Sequence, residues 1–296
     1  MKADNFYPDR WGVGMRTVVV TGGTDGLGKG LALHYLRRGA RVVAVGSTPA
    51  KGEALLAEAG PAADRAVFLR ADLTSVAAAR RLATRIAADH GPVDALILCA
   101  QRYRLTGPRA LTPEGFEHSF ALSYLSRYVL GHGLRTSLEA SPRPVVLNVA
   151  TPGVPLGRIH WDDLQLTRRY SGTRAVLQSF RANDLLGVSF AELYGRSGPV
   201  RYVTYNPGVV ATGMPDHLPG VLRTLTKAPF KVLATPVDRA LPPMTGLVDD
   251  PPVEPFTAYR GDRRIRTDRP AFDRDAALRL HCLTRDLLET VPGARG

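Results

Sequence analysis

The stretch Thr21-Gly22-Gly23-Thr24-Asp25-Gly26-Leu27-Gly28 constrains the fold more than any other part of the chain. It follows Thr17-Val18-Val19-Val20, a β-branched run that reads as a buried strand, and leads into Lys29 to Arg38, which carries helical periodicity. A glycine turn between a strand and a helix lets backbone approach a pyrophosphate, whose charge then rests on the unpaired N–H groups of the helix N-terminus. Gly22 suits the turn, Gly26 the close approach, and Gly28 the packing of helix on strand. With 29 glycines in the chain, spacing alone is weak evidence, and it is the flanking strand and helix that give the motif its meaning.

The rest of the chain continues the alternation. Strands are expected at Arg41 to Val45, Ala66 to Leu69, Asp94 to Cys99, Pro144 to Val149 and Val200 to Tyr205. Helices are expected up to about His90, from Leu111-Thr112-Pro113-Glu114 onward with proline in the first turn, over Thr173 to Tyr194, and over Arg274 to Thr290. This pattern implies an α/β fold with a parallel doubly wound sheet, and sites at the carboxyl ends of its strands. One domain over residues 1–296 suits the length and the 44% hydrophobic content. Residues 213–236 read as a substrate loop, and Pro242-Pro243, Pro251-Pro252 and Pro255 as a second irregular stretch.

Composition narrows the function classes. The net charge of +12 would suit a nucleic-acid partner, but the basic residues lie dispersed on separate elements with no recognition motif beside them. A solvated arginine-rich surface is the preferred reading, and it is compatible with anionic small molecules. No run of about 18 apolar residues is present, so no membrane span is expected. The first fifteen residues lack the apolar core of a signal peptide, which makes a cytoplasmic protein the default expectation. Cys99 and Cys282 are far apart and the seven histidines scattered, so neither a disulfide framework nor a metal site is indicated.

The end of the second strand, Gly46-Ser47-Thr48, lacks the acid that would bind ribose hydroxyls and repel a 2′-phosphate. Ser47, Thr48 and Lys51 can donate to such a phosphate, which favours NADP (NADPH) over NAD, although Asp25 brings a negative charge nearby. Ser47 and Thr48 equally suit the cap of the next helix, and Asp72 suits either an adenine contact or the cap of the helix starting near Ser75.

Together these residues resemble the short-chain dehydrogenase/reductase family, over about Arg16 to Leu288. The resemblance implies a Rossmann-type sheet. It aligns the family's glycine motif with Thr21, Gly22, Gly26 and Gly28, its adenine-site acid with Asp72, and its Pro-Gly motif with Pro207 and Gly208. Thr212 falls where the family holds the nicotinamide carboxamide, and Thr24, Asp25, Leu27, Leu73, Ala100 and Val210 lie in the same cofactor segments. Ile159-His160-Trp161-Asp162-Asp163-Leu164-Gln165 is similar to a run in the retinol-dehydrogenase and WW-domain-oxidoreductase branch. In that branch the acid–base tyrosine follows the glutamine by eleven residues, and a lysine follows four later. Counting from Gln165 reaches Val176 and Phe180 instead. Ser179 and Asn183 match the branch around those positions, and Gln178 lies on the same aligned helix. The family's asparagine position is Ser123, its serine position is Thr151, and Leu98-Cys99-Ala100-Gln101 replaces Asn-Asn-Ala-Gly.

Tyr124, Tyr128, Tyr170 and Tyr205 read as packing or surface residues rather than replacements, although Tyr170 and Arg174 have the four-residue spacing. His160 and Asp162 lie in the loop over the expected pocket, as acid and base or as shape. Hydride delivery to an ordinary ketone leaves an alkoxide that needs a proton donor. The reaction expected without the tyrosine is therefore NADPH-dependent reduction of an electron-poor small molecule: a quinone, an iminium or a conjugated carbonyl, in the style of a polycyclic secondary metabolite. Alternatives are a non-redox cyclase or isomerase, and a silent nucleotide-binding partner. The family also suggests a homodimer or homotetramer.

Overall fold

The computed structural model describes residues 15–195, 197–208, 210 and 235–291. Its centre is one eight-stranded sheet in the order β3-β2-β1-β4-β5-β6-β7-β8. The strands are β1 Thr17–Thr21, β2 Arg41–Gly46, β3 Ala66–Arg70, β4 Ala95–Leu98, β5 Val145–Val149, β6 Arg201–Asn206, β7 Phe256–Arg260 and β8 Arg263–Ile265. The first seven run parallel and β8 turns back antiparallel on β7. The order reverses between β1 and β4, which opens a crevice at their carboxyl ends.

Alternation along each strand builds two cores. Val19, Val43, Val45, Leu96, Leu98 and Val146 face one side, packed by helices α3 (Val76–His90), α5 (Ser126–Gly133), α6 (Arg135–Glu139) and α7 (Gly172–Phe190) and by the closing helix Arg274–Glu289. Val18, Val20, Val42, Ala44, Ile97 and Leu147 face the other, packed by α1 (Gly26–Arg37), α2 (Pro49–Ala59) and the helix Val237–Asp249. Strands buried on both faces read as continuous apolar runs, which is why the first six were legible.

Three local expectations are corrected. The segment from Leu111 does not open a helix. Leu111 bridges Glu117, and α4 (His118–Phe120) begins only there, with the Glu117 carboxylate accepting from the Phe120 N–H at 2.7 Å. Glu114 instead reaches α3, accepting from the N–H groups of Val76 and Ala77 and from the Ser75 hydroxyl. Those donors have no partner within their own helix, and this satisfies them. The cap of α3 is Ser75, while exposed Asp72 accepts from the backbone and hydroxyl of Thr74. Pro242 and Pro243 lie inside the helix Val237–Asp249, where the buried stripe Ala240, Leu241, Met244 and Val248 outweighs proline's local cost of about 3 kcal/mol. Pro251-Pro252 and Pro255 lead directly into β7 and the β8 hairpin. Thr212 and residues 213–234 of the expected substrate loop lie outside the described residues.

Candidate active site

The glycine turn is built as its residues require. Gly22 and Gly26 have φ of 65° and 50°, a region that penalises side chains. A Cβ on Gly28 would stand 2.2 Å from the Gly22 carbonyl oxygen, so helix and turn touch backbone to backbone. Buried Thr24 packs against Gly46, where a Cβ would meet its hydroxyl at 2.6 Å. Thr21 ties the turn to the neighbouring strand end, its hydroxyl accepting from the Ala100 N–H at 3.2 Å. Gly208, at φ 76°, follows β6 and donates its N–H to Asn206. Val210 bridges Thr235. A dinucleotide fits this cradle: a bare turn, a twelve-residue helix pointing its N-terminus at it, and strand ends on both sides.

Asp25 caps α1 through the Gly26 N–H and pairs with Lys51. Its partial burial works against ionisation, and the Lys51 and Gly26 contacts overcome this to hold the carboxyl below the usual range. Lys51 is thus engaged with Asp25, and exposed Ser47 and Thr48 are left facing any 2′-phosphate. Thr48 occupies the cap position of α2 without forming a side-chain cap bond. Arg70, the register partner of Gly46 on β3, adds a second cation at that edge. Leu73 is buried beside Asp72.

At the catalytic end, Val176 is buried and Phe180 is one turn further along α7. Two side chains that the motif comparison did not single out gather around them. Tyr103, in the segment after β4, sets its ring edge-on to Phe180 with centroids 5.5 Å apart, and its phenol is near enough to the Thr151 hydroxyl to feel it electrostatically. Arg127, on α5, is 1% exposed. Its guanidinium donates to Asn148 Oδ1 at 2.6 Å, to Asn183 Oδ1, to Gln101 Oε1 and to the Ala100 carbonyl. All four acceptors are neutral, and its Nε has no partner. Burial raises the Tyr103 pKa, and the Arg127 charge and the Thr151 hydroxyl pull it back. A phenol, a hydroxyl and a buried cation therefore meet at the ends of β4 and β5, beside the cradle.

The sequence held a signal for each. Arg127 falls seven residues after Phe120 on the helix's apolar stripe, where a charge is out of place. Tyr103 comes two residues after the altered Ala100-Gln101 pair.

The other expected residues are dispersed around this point. Ser123 lies in a π-helical turn, Ala121–Leu125, with its buried hydroxyl unpartnered, and such turns recur at functional sites. Asn183 joins the site indirectly, bonding Asn148, Arg127 and the Ser123 and Ser179 carbonyls. Ser179 bonds back to the Ala175 carbonyl. Gln178 pins the preceding loop through the His160 N–H and the Leu164 carbonyl. His160 is directed to Arg174, and burial together with the Arg174 and Arg158 charges keeps its pKa low. Asp162 is exposed, and Tyr170 donates to Glu117. Tyr124 bonds Thr284, Tyr128 bonds His281, and Tyr205 is buried in the second core.

Beyond Thr151, Asp184 accepts from the Gly153 N–H, and Arg181 links it to the carbonyls of Val154 and Gly157. Burial pushes Asp184 up to about 8 against the pull of Gly153 and Arg181. The folded chain then keeps a proton that the unfolded chain loses near its ordinary value of about 3.9. Stability should fall as pH rises across that window and level off above it. Urea midpoints from pH 5 to 9 should show this decline and a flatter profile for Asp184→Asn; equal slopes would remove Asp184 as its source.

No helix among the described residues is long and apolar enough to cross a membrane, and no cluster of three or more metal-ligating side chains forms among them. The short chain dehydrogenase profile matches residues 16–219. Human polyprenol dehydrogenase is 31% identical over 212 residues, 69% of this chain and 63% of its own. A Streptomyces sp. (strain C5) protein provisionally named a daunorubicin C-13 ketoreductase is 33% identical over 202 residues, 67% of each chain. Human retinol dehydrogenase 13 is 32% identical over 205 residues, 68% of this chain and 61% of its own. The chain thus spans under two thirds of the polyprenol and retinol enzymes' length. An uncharacterised Mycobacterium paratuberculosis protein superposes with a TM-score of 0.66 at 26% identity, covering 93% of this chain and 94% of its own. With a family match over most of its length, a cradle built for a dinucleotide and this sheet order, the chain belongs to the short-chain dehydrogenase family, in its retinol-dehydrogenase branch.

Proposed function

We propose that this protein is an NADPH-dependent reductase of an electron-poor carbonyl compound, such as a conjugated enone or quinone of a polycyclic metabolite. The observation that carries the reading is the Tyr103–Thr151 pair beside Phe180, with Arg127 behind it. NADPH, held by the Thr21–Gly28 turn, Ala100 and Pro207-Gly208, would supply the hydride. Thr151 orients and polarises the acceptor oxygen, and Tyr103 donates the proton as charge develops there. A phenol of ordinary pKa, about 10, is already protonated at neutral pH, so Tyr103 has the proton to give; burial makes it a weaker acid, and the Arg127 charge offsets part of that. Arg127 favours the phenolate left behind, and Val176 and Phe180 give the site an apolar wall. Arg70 at the β3 end, with no acid at Ser47 or Thr48, supports NADP over NAD. The similarity to the protein provisionally named a daunorubicin C-13 ketoreductase supports a small polycyclic acceptor. Association into a homodimer or homotetramer, suggested by the family, is checked by sedimentation.

The test follows NADPH absorbance with a panel of quinones, enones and simple ketones. Oxidation with the enones or quinones is expected. Absence of turnover despite measured NADPH binding would overturn the reading, and product formed without NADPH would favour a non-redox rearrangement.

A further inference from the structure

A cavity of about 630 Å³ runs from Thr151 past Gly153 and Asn206 to a rim of arginines. It lies at the carboxyl ends of β5, β6 and β7, where a parallel sheet places its ligands. Five guanidiniums line it: Arg260, Arg263, Arg264, Arg266 and Arg269. Glu254 neutralises Arg264 at 2.7 Å, and Asp268 pairs with Arg266. Arg260, Arg263 and Arg269 have no carboxylate within salt-bridge distance among the described residues.

Arg260 and Arg263 are direct cross-strand partners in the β7–β8 hairpin. Like charges set opposite each other destabilise a strand pair, so folding gives no reason for this placement. The hairpin places the pair on the lining of a cavity that Thr151 also lines. Dispersed surface charge accounts for arginines elsewhere on the protein; it does not account for unpaired ones concentrated around one opening beside a reactive hydroxyl.

We infer that this cavity is a substrate subsite for an acceptor bearing an anionic group, a carboxylate or a phosphate. The acceptor's reducible carbonyl sits at Thr151 and Tyr103, and its anion is held by Arg260, Arg263 and Arg269. The subsite lies at the opposite side of the sheet crevice from the β2 edge, so it is distinct from any 2′-phosphate contact. Planar guanidiniums bind both anions by paired N–H donors. This deepens the proposed reductase reading and rests on it for the identity of the reacting group, but the anion site itself does not need the redox step.

Equilibrium dialysis of the full chain with NADP+ present, which cannot reduce the probes, followed by a separate NADPH-oxidation assay, separates the two. The probes are anthraquinone-2-carboxylate and neutral 2-(hydroxymethyl)anthraquinone. Wild type should bind the carboxylate at least about tenfold more tightly, and the preference should shrink between 50 and 500 mM NaCl as about three charge contacts are screened. The R260Q/R263Q/R269Q variant should lose the preference, with binding of the neutral probe unchanged. The R37Q/R81Q/R85Q variant, which removes the same charge from other surfaces, should keep it. All six arginines are exposed, so both variants should fold, as checked by melting temperature. Displacement by inorganic phosphate or by acetate at the lower concentration tells which anion the subsite prefers. Equal binding of the two probes by wild type, or equal loss in both variants, would overturn the inference. Charge-selective binding without NADPH oxidation would leave the subsite standing and remove the reductase reading.

Discussion

Tyr103→Phe should lower NADPH-dependent turnover of a conjugated enone by about 100-fold or more, the usual effect of removing a positioned proton donor. Quinone turnover should fall by less than about tenfold. The difference follows from the product oxygen. A hydroquinone anion is about as weak a base as a phenolate and can wait for a proton from water. The enolate or alkoxide formed from a carbonyl is much more basic, and in a site walled by Val176 and Phe180 it depends on the phenol at hand. NADPH affinity should not change, because Tyr103 packs on Phe180 and is no part of the glycine turn. Single-turnover rates at saturating NADPH separate this from a structural effect. Equal loss for both acceptor classes would mean that Tyr103 shapes the pocket without giving up a proton. Thr151→Val should slow both, since it removes the group that polarises either oxygen.

Gly28→Ala should abolish NADPH binding or folding, whereas Gly30→Ala should cost far less and leave NADPH binding in place. The two glycines lie on one helix, two residues apart. At Gly28 the added Cβ would sit 2.2 Å from the Gly22 carbonyl oxygen, which is backbone and cannot swing aside. Helix and turn must separate, at a cost of ~3 kcal/mol or more, and the cradle opens. At Gly30 the nearest atom is a methyl of Val237 at 2.8 Å, followed by Leu241 methyls at 3.4 Å, so a shift is needed there too but it falls on side chains rather than on backbone. A thermal melt with and without NADPH reads both effects. A Gly28→Ala protein that folds and binds NADPH normally would show that the contact yields more easily than its geometry implies.

The nucleotide half of the site was legible because it is local. Thr17 to Gly28 contains its own strand, turn and helix, and each glycine answers a constraint set by neighbours within a few residues. Much of the fold followed in the same way, from β-branched runs alternating with helical stripes. Legibility failed at Leu111, where a proline that suits a first helical turn sits instead in a loop held by Glu114's contacts with α3. It failed again at Pro242-Pro243, where burial of Met244 and Val248 keeps a helix that local propensity would break.

The other end of the crevice was read from the sequence only by counting. Counting along the chain places Val176 and Phe180 where a tyrosine and a lysine stand in the resembling branch, and there the one-dimensional reading stops. Tyr103 and Arg127 are far from both positions in sequence, and neither carries a motif. They meet Phe180, Thr151 and Asn183 because β4, β5, α5 and α7 converge at one end of the sheet.

The chain order alone therefore determines the strand–helix alternation and the glycine turn, since each depends on residues within one strand–helix unit. Tertiary structure decides which phenol faces Thr151, which cation is buried behind it, and that Arg260, Arg263 and Arg269 ring one cavity. Those contacts join segments up to about a hundred residues or more apart, and burial, hydrogen bonding and charge act between such segments only once the sheet has brought them together.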